Sequence, residues 1–437
     1  MERVTVIGGG IAGLTTAYRL RTAGFKVRVL EKNAYPGGRM STETRQTPYG
    51  PFHIDRGAQF IASGYRQMHA LCSEIGIKSR IRDVLTTTNG IYKNGVFHPG
   101  DYDRPGVFFR SPLVPWSSKL RLPRLLWDVF RSGVDPMNPA RTADLDIETM
   151  HEYVEKRFGK PVLDYLFAPA LGATFDADAE NMSAVFLWSV VKFVLTGFRL
   201  RCFEDGTGLF TQTLAGLVPV EYATEVNSVQ KRGGIFYVQT DKATYESDRV
   251  VFAVPGTKVL GLAKDLLNVD EVRFFQVVSY CEGIIVYLLL RSAPKHIPYY
   301  GLAFSPPEGI GIYGVAMDHY KPGCVPEGTG LLNGALTQTA AQKFMDEPDE
   351  KVVEYFISEL ARTPVGRLEP FDTAVIRWRP MLPMFYRGYV RRLRDFERRR
   401  PTEGLDFAGD YLVGPYTEAA LASGLRAAQR ILVTQRP

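Results

Sequence analysis

Cysteine is scarce in this chain. Its 437 residues hold four, Cys72, Cys202, Cys281 and Cys324, and no two stand in C-x-x-C spacing. That argues against a disulfide framework and a structural zinc site, and it fits a reducing cytosol. Histidine is nearly as sparse: His53, His69, His98, His151, His296 and His319 include no pair at metal-ligand spacing, so no metal is expected. Long apolar runs are missing too. The most apolar stretch, Ala184 to Val191, reaches Leu195 only by passing Lys192, short of the about 20 residues that span a bilayer. The first strand signal begins at residue 3, leaving no room for a leader, so a cytoplasmic protein is expected. Net charge is only +6 and no nucleic-acid motif is present, which argues against a nucleic-acid partner. Defensible Ser/His/Asp spacing, a phosphate-binding lysine motif, internal repeats and low-complexity tracts are all lacking.

What is present is ample apolar content, 45%, in a chain long enough for two interleaved domains. The N-terminus carries the strongest signal. Val4-Thr5-Val6-Ile7 reads as a buried strand and Ile11 to Arg21 as a helix, with Gly8-x-Gly10-x-x-Gly13 between them. In such a unit the first glycine permits the tight turn, the second lets backbone reach a pyrophosphate, and the third lets helix pack on strand. The amides at the helix start, Ile11, Ala12 and Gly13, would face the anion. Lys26 to Leu30 reads as a second strand ending at Glu31, the position for a carboxylate on an adenosine ribose. Gly309-x-Gly311-x-x-Gly314 matches the same pattern but follows Pro306-Pro307-Glu308. It therefore reads as a glycine-rich hairpin or loop.

Further along, Tyr65 to Ile75 reads as a helix, and Asn89-Gly90, Asn94-Gly95 and Arg104-Pro105-Gly106 mark turns between short strands. From Trp116 to Phe130, apolar Leu120, Leu122, Leu125, Leu126, Val129 and Phe130 alternate with Lys119, Arg121, Arg124 and, just beyond, Arg131. A basic amphipathic helix can lie on a membrane surface. The expectation here is that it caps a substrate cavity with its apolar side inward, with peripheral membrane contact left open. Residues 148–198 read as more helices. Gly206 to Leu217 opens another, and Tyr222 to Pro255 is strand-rich. Strand signals recur at Gly283 to Leu290, Gly301 to Phe304, Ile310 to Met317 and Gly330 to Leu336, followed by a helix at Asp349 to Ala361. Nine arginines between Arg377 and Arg400 read as a solvated helix face; the sharper alternative is attraction for anionic headgroups or a carboxylate-bearing substrate. Leu405 to Asp410 ends as a strand would, and Glu418 to Leu432 reads as a helix rich in small residues.

Gly8 to Leu14, Glu31-Lys32, Gly37-Gly38-Arg39 and Asp55-x-Gly57-Ala58-Gln59-Phe60 resemble the N-terminus of the flavin-dependent amine oxidase, protoporphyrinogen oxidase and phytoene desaturase superfamily. Gly409-Asp410 and Thr417-Glu418-Ala419 resemble its second flavin motif. The resemblance implies an α/β fold, with a Rossmann-type FAD-binding domain interleaved with a mixed-sheet plus helical substrate-binding domain. The first would take residues 1–80, 205–265 and 400–437, and the second 81–204 and 266–399. It implies FAD held without a covalent link, with Gly8, Gly10, Gly13, Glu31, Lys32, Gly38 and Arg39 at its nucleotide end. Val226 would meet the adenine through its backbone, and Gly57 to Phe60 would pass close to the ring. Gly409 and Asp410 would meet the ribityl or diphosphate portion. Amides at Thr417 to Ala420 would face the negative charge that develops on the ring.

Amine-oxidizing relatives carry a lysine near the flavin in the strand corresponding to 277–290. Phe274 to Leu290 has none, and Gly283 falls where it would stand, which moves the resemblance toward the protoporphyrinogen oxidase and desaturase branch. The implied activity is dehydrogenation of a sizeable hydrophobic or amphipathic molecule, with oxygen, a quinone or another protein taking the electrons. Isoprenoid desaturation or dehydroxylation, redox-neutral isomerisation and a flavin-bearing scaffold without turnover stay open. Tyr386, Trp378 and Gln59 are candidates for shaping the ring face, and no residue is assigned as acid or base.

Overall fold

The computed structural model describes residues 1–100, 110–175, 178, 181–195 and 199–434; the expected turn at Arg104 to Gly106 lies outside them. The strand Arg3–Ile7, the helix Ile11–Thr22 and the strand Lys26–Leu30 form the expected unit. The two strands run parallel, with Val4 opposite Val27 and Ile7 opposite Leu30. Three more strands complete a five-stranded sheet in the order Val220–Glu221, Lys26–Leu30, Arg3–Ile7, Arg249–Phe252, Leu405–Phe407, each neighbour pair parallel. A parallel sheet needs cover on both faces, and here the central strands are buried on both while Lys26–Leu30 keeps Lys26 exposed and Arg28 half-buried. Val6, Val29, Val250, Val251 and Phe252 are all fully buried.

One face is covered by the N-terminal helix and the helix Thr417–Val433, which approach closely because of Gly424: a Cβ there would overlap the Ala12 carbonyl oxygen. Thr16 Oγ1 donates to the Gly424 carbonyl across the same contact, at 3.1 Å. On the other face lies an antiparallel meander of Val226–Arg232, Ile235–Thr240 and Thr244–Ser247, whose Phe236 and Val238 join one core with Val250 and Phe252.

A second sheet has seven strands in the order Asp372–Trp378, Gly283–Leu290, Gly330–Leu336, Ile312–Met317, Gly301–Phe304, Asn89–Lys93, Val96–Pro99. It is antiparallel except where Gly301–Phe304 runs beside Asn89–Lys93. All eight residues of Gly283–Leu290 are buried. The helix Asp349–Ala361 lays Val352, Phe356 and Leu360 on this sheet, at the i, i+4, i+8 spacing of one apolar face. The strands of the five-stranded sheet fall within residues 1–80, 205–265 and 400–437, and those of the seven-stranded sheet within 81–204 and 266–399.

The glycine pattern at 309–314 is, as expected, a hairpin connection: Pro306–Glu308 turns, Gly309 closes the turn at φ 64°, and Gly314 lies in a strand antiparallel to Gly301–Phe304. The segment from Trp116 to Phe130 departs from expectation. It forms two helices, Trp116–Lys119 and Pro123–Ser132, because a proline is accommodated at the first turn of a helix and not inside one. Its apolar side does not all turn inward either: Leu125 and Val129 are buried, while Leu120, Leu126, Trp127 and Phe130 face solvent. Among the described residues, no helix is long and apolar enough to cross a membrane.

A candidate cofactor site where the chain ends meet

The expected glycine turn between strand and helix is formed. Gly8 has φ +108°, and a Cβ there would lie 2.6 Å from the Ala253 carbonyl oxygen; at Gly13 it would overlap the Gly8 carbonyl. Those two glycines are required by the fold itself. Gly10 is not, since its φ of −74° and ψ of 175° suit any residue and a Cβ there would meet nothing within 4 Å. Gly10 caps the helix with no side-chain hydrogen bond, and no acidic residue stands in the first turn. The start of the helix is therefore an open, backbone-lined end with its positive dipole exposed, and this fits a diphosphate.

Gly37-Gly38-Arg39 is brought to the same place. Gly37 N donates to the Gly9 carbonyl at 2.8 Å, and Gly38, like Gly10, has open space where a side chain would be. Glu31 is buried, accepting from Gly9 N at 2.7 Å and from Asn33 N and Nδ2 at 2.8 and 2.7 Å. Lys32 beside it is exposed. Its neighbours include the segment before Val226, through Thr224 N to the Glu31 carbonyl at 2.9 Å; Val226 itself opens the meander, buried.

The chain's far end joins this group by an ion pair: Arg39 Nη1 lies 2.8 Å from Asp410 Oδ2. Arg39 also donates to the Met381 carbonyl. Burial works against its charge, yet Asp410 and Tyr280 hold it above the ordinary arginine value. Tyr280 Oη completes the cluster by donating to Asp410 Oδ1 at 3.3 Å. Gly409 N donates to Ser423 Oγ at 2.8 Å, tying the strand end to the C-terminal helix. That helix starts at Thr417 without a side-chain cap, with Ala419 buried behind it.

Glu418 has a task that the sequence did not suggest. Its carboxylate accepts from Gln67 N at 2.8 Å and Met68 N at 3.0 Å, capping the helix Arg66–Glu74. Burial pushes the carboxyl from 4.5 up to about 6, against the pull of those amides. Between these values the folded protein keeps a proton that the unfolded chain has released. The stability this supplies is fully present below about pH 4.5 and is lost as pH rises through about 6, a change of about 2 kcal/mol. Glu418→Gln should flatten that part of the stability profile in urea titrations at stepped pH; an unchanged slope would count against the assignment.

Between the sheets, Gly57 passes so close to Arg39 that a Cβ would lie 2.5 Å from its carbonyl oxygen, and Ala58 N donates to the same oxygen at 2.8 Å. Phe60 packs on Val84, Leu200, Cys202 and Tyr300. Trp378 Nε1 donates to the Arg56 carbonyl at 2.6 Å, while Tyr386 is exposed, at 38%. Gln59 is held at both ends of its amide: Nε2 donates to Tyr287 Oη at 2.6 Å, and Oε1 accepts from Lys321 Nζ at 3.2 Å.

Sequence reading missed Lys321. Its ammonium is buried, 2.8 Å from Asp318 Oδ1 and 3.6 Å from Asp55 Oδ2. Burial works against its charge, but Asp318, Tyr300 and Asp55 outweigh that and raise its pKa well above the usual lysine value. The one sequence signal was Asp318 three residues earlier, which by itself looks like any surface ion pair. Gly283 gives the opposite result: a Cβ there would overlap the Met381 sulfur, so that strand position has no room for a side chain. Five of the nine arginines between Arg377 and Arg400 are in ion pairs with carboxylates of neighbouring segments: Arg377, Arg379, Arg387, Arg394 and Arg399. Those five tie elements together, while Arg391, Arg392, Arg398 and Arg400 are exposed, the first three on the solvated face of the helix Tyr389–Arg398.

Residues 11–432 match the family described as flavin containing amine oxidoreductase. The coproporphyrinogen III oxidase of Mycobacterium leprae is 23% identical, over 98% of this chain and 97% of that protein. Protoporphyrinogen oxidase 2 of Arabidopsis thaliana is 21% identical, over 99% and 94%. Among solved structures, cyclohexylamine oxidase from Brevibacterium oxydans superposes over all of both chains with a TM-score of 0.79 at 18% identity, a likeness of fold. With a glycine turn and an open helix end that suit FAD, and a family match over nearly its whole length, the chain belongs to the flavin containing amine oxidoreductases and is an FAD-dependent oxidoreductase.

Proposed function

We propose that this protein dehydrogenates a sizeable hydrophobic or amphipathic molecule of the porphyrinogen class, rather than an amine. The observation that carries this reading is Gly283, because the strand position where amine-oxidizing relatives hold a lysine is filled by Met381. The full-length similarity to the coproporphyrinogen III oxidase of Mycobacterium leprae supports it. Residues 1–80, 205–265 and 400–437 would form the FAD-binding domain, and 81–204 and 266–399 the substrate domain.

FAD bound non-covalently at the Gly8–Gly13 turn would supply the hydride acceptor. The chain's own part is to bind and orient. Backbone at Gly10, Ile11, Ala12 and Gly38 would take the diphosphate, Glu31 the ribose and Val226 the adenine, with Lys32 exposed at the rim. Arg39 and Asp410, already paired, would fix the junction between the nucleotide and ring ends. Gly57, Ala58, Gln59 and Phe60 would lie along the ring, with the Gln59 amide locked by Tyr287 and Lys321 so that it cannot turn. Gly409 would lie beside the ribityl chain, and the helix start at Thr417, Glu418 and Ala419 would direct its amides at the ring. Holding a substrate C–H bond in place and excluding water is the catalytic work this arrangement can do.

Anaerobic titration tests the reading. Coproporphyrinogen III or protoporphyrinogen IX should bleach the oxidised flavin band, while putrescine and cyclohexylamine should leave it unchanged. Bleaching by the amines alone would overturn the porphyrinogen assignment.

A further inference from the structure

The two helices at residues 116–132 present large apolar side chains outward. Trp116 is 61% exposed, Leu120 74%, Leu126 47%, Trp127 60% and Phe130 74%. Exposed apolar residues scattered singly are ordinary, but here four on two consecutive helices, with Leu120 between them, form a patch. The exposed charges among them are of one sign, Arg121, Arg124 and Arg131, against a partly buried Asp128; Lys119 is buried, its ammonium donating to the Ser111 carbonyl at 2.6 Å. Asp128 is already engaged, accepting from Tyr153 Oη at 2.8 Å and facing Arg124 at 3.8 Å. Lys192, on the adjoining helix Ala184–Leu195, adds a positive charge 5.9 Å from the Phe130 ring.

We propose that this face docks on a bilayer surface containing anionic phospholipid. Tryptophan is at home at headgroup depth, where an apolar ring and a polar N–H are both satisfied. Leucine and phenylalanine would insert beneath it, and the arginines would meet lipid phosphates around the rim. A second copy of this chain fits less well. A two-fold contact sets a patch against itself, which would bring Arg121, Arg124 and Arg131 against their own kind.

The FAD-loaded protein can be sedimented with vesicles of phosphatidylcholine, with and without phosphatidylserine. It should partition onto those containing phosphatidylserine, with a blue shift in tryptophan emission from Trp116 and Trp127. The double substitution Trp127→Ser, Phe130→Ser, at exposed positions, should lower partitioning at least about 30-fold. Arg121→Gln, Arg124→Gln and Arg131→Gln together should remove the preference for phosphatidylserine, about fivefold for each arginine. Failure of the parent to bind either vesicle, or equal binding by parent and double variant, would overturn the proposal. So would concentration-dependent dimerisation that the double variant abolishes without any lipid binding.

Discussion

Replacing Gly10 by aspartate should yield a folded protein that emerges colourless. Glycine at this position is required neither by backbone conformation, φ −74° and ψ 175°, nor by packing, since nothing lies within 4 Å of a Cβ. Aspartate is moreover a preferred residue for capping a helix start, so the apoprotein should keep or gain stability. What it cannot do is share that space with a diphosphate. Crowding and like-charge repulsion together should weaken FAD binding at least about 100-fold. Flavin absorbance per protein, read beside the far-ultraviolet circular dichroism and melting of the apoprotein, separates the two effects. A yellow Gly10→Asp protein would mean that the cofactor does not lie at this turn. Gly13→Val is the contrasting case, because its side chain collides with the Gly8 carbonyl and should damage the fold as well.

Lys321→Met should cost about 3–5 kcal/mol of stability, the range for removing one partner of a buried ion pair. The methionine fills much of the same space, so the loss measures the carboxylates left behind. Asp318 would keep only Asn333 Nδ2, at 2.7 Å from Oδ2; Asp55 would keep Thr42 Oγ1 at 2.6 Å and Thr207 N at 2.8 Å. Freed at one end, Gln59 would lose its fixed orientation, and the flavin spectrum should shift even where FAD is retained. Urea titration of the apoprotein gives the first quantity and absorbance of the loaded protein the second. A variant as stable as the parent would mean that the ammonium is not needed to balance this buried cluster.

Sequence pattern carried the elements well wherever burial is complete. Gly283–Leu290, Gly330–Leu336 and Asp349–Ala361 begin and end where periodicity places them, because a fully buried strand or a one-faced helix leaves an unambiguous pattern. The glycine turn was legible for a similar reason: strand, three glycines and helix constrain one another. Lys321 was not legible, since Asp55 and Gln59 lie more than 260 positions earlier and only the fold unites them. Nor could periodicity say what the apolar side of 116–132 faces. An alternating pattern shows that a helix has two sides, not which of them is inward. Glu418 shows the same limit, standing in a predicted helix while its carboxylate caps a different one.

The Arg3–Ile7 strand finds one neighbour nearby, Lys26–Leu30, but its other edge waits for partners far away in the chain: Arg249–Phe252 pairs beside it, and Leu405–Phe407 completes the sheet beyond that. A ribosome must therefore have passed Leu405–Phe407 before this sheet can close, and until then its apolar edge stays open to wrong partners. Newly made chains should depend on chaperones, and removing the helix Thr417–Val433 should expose the beginning of the protein as much as its end.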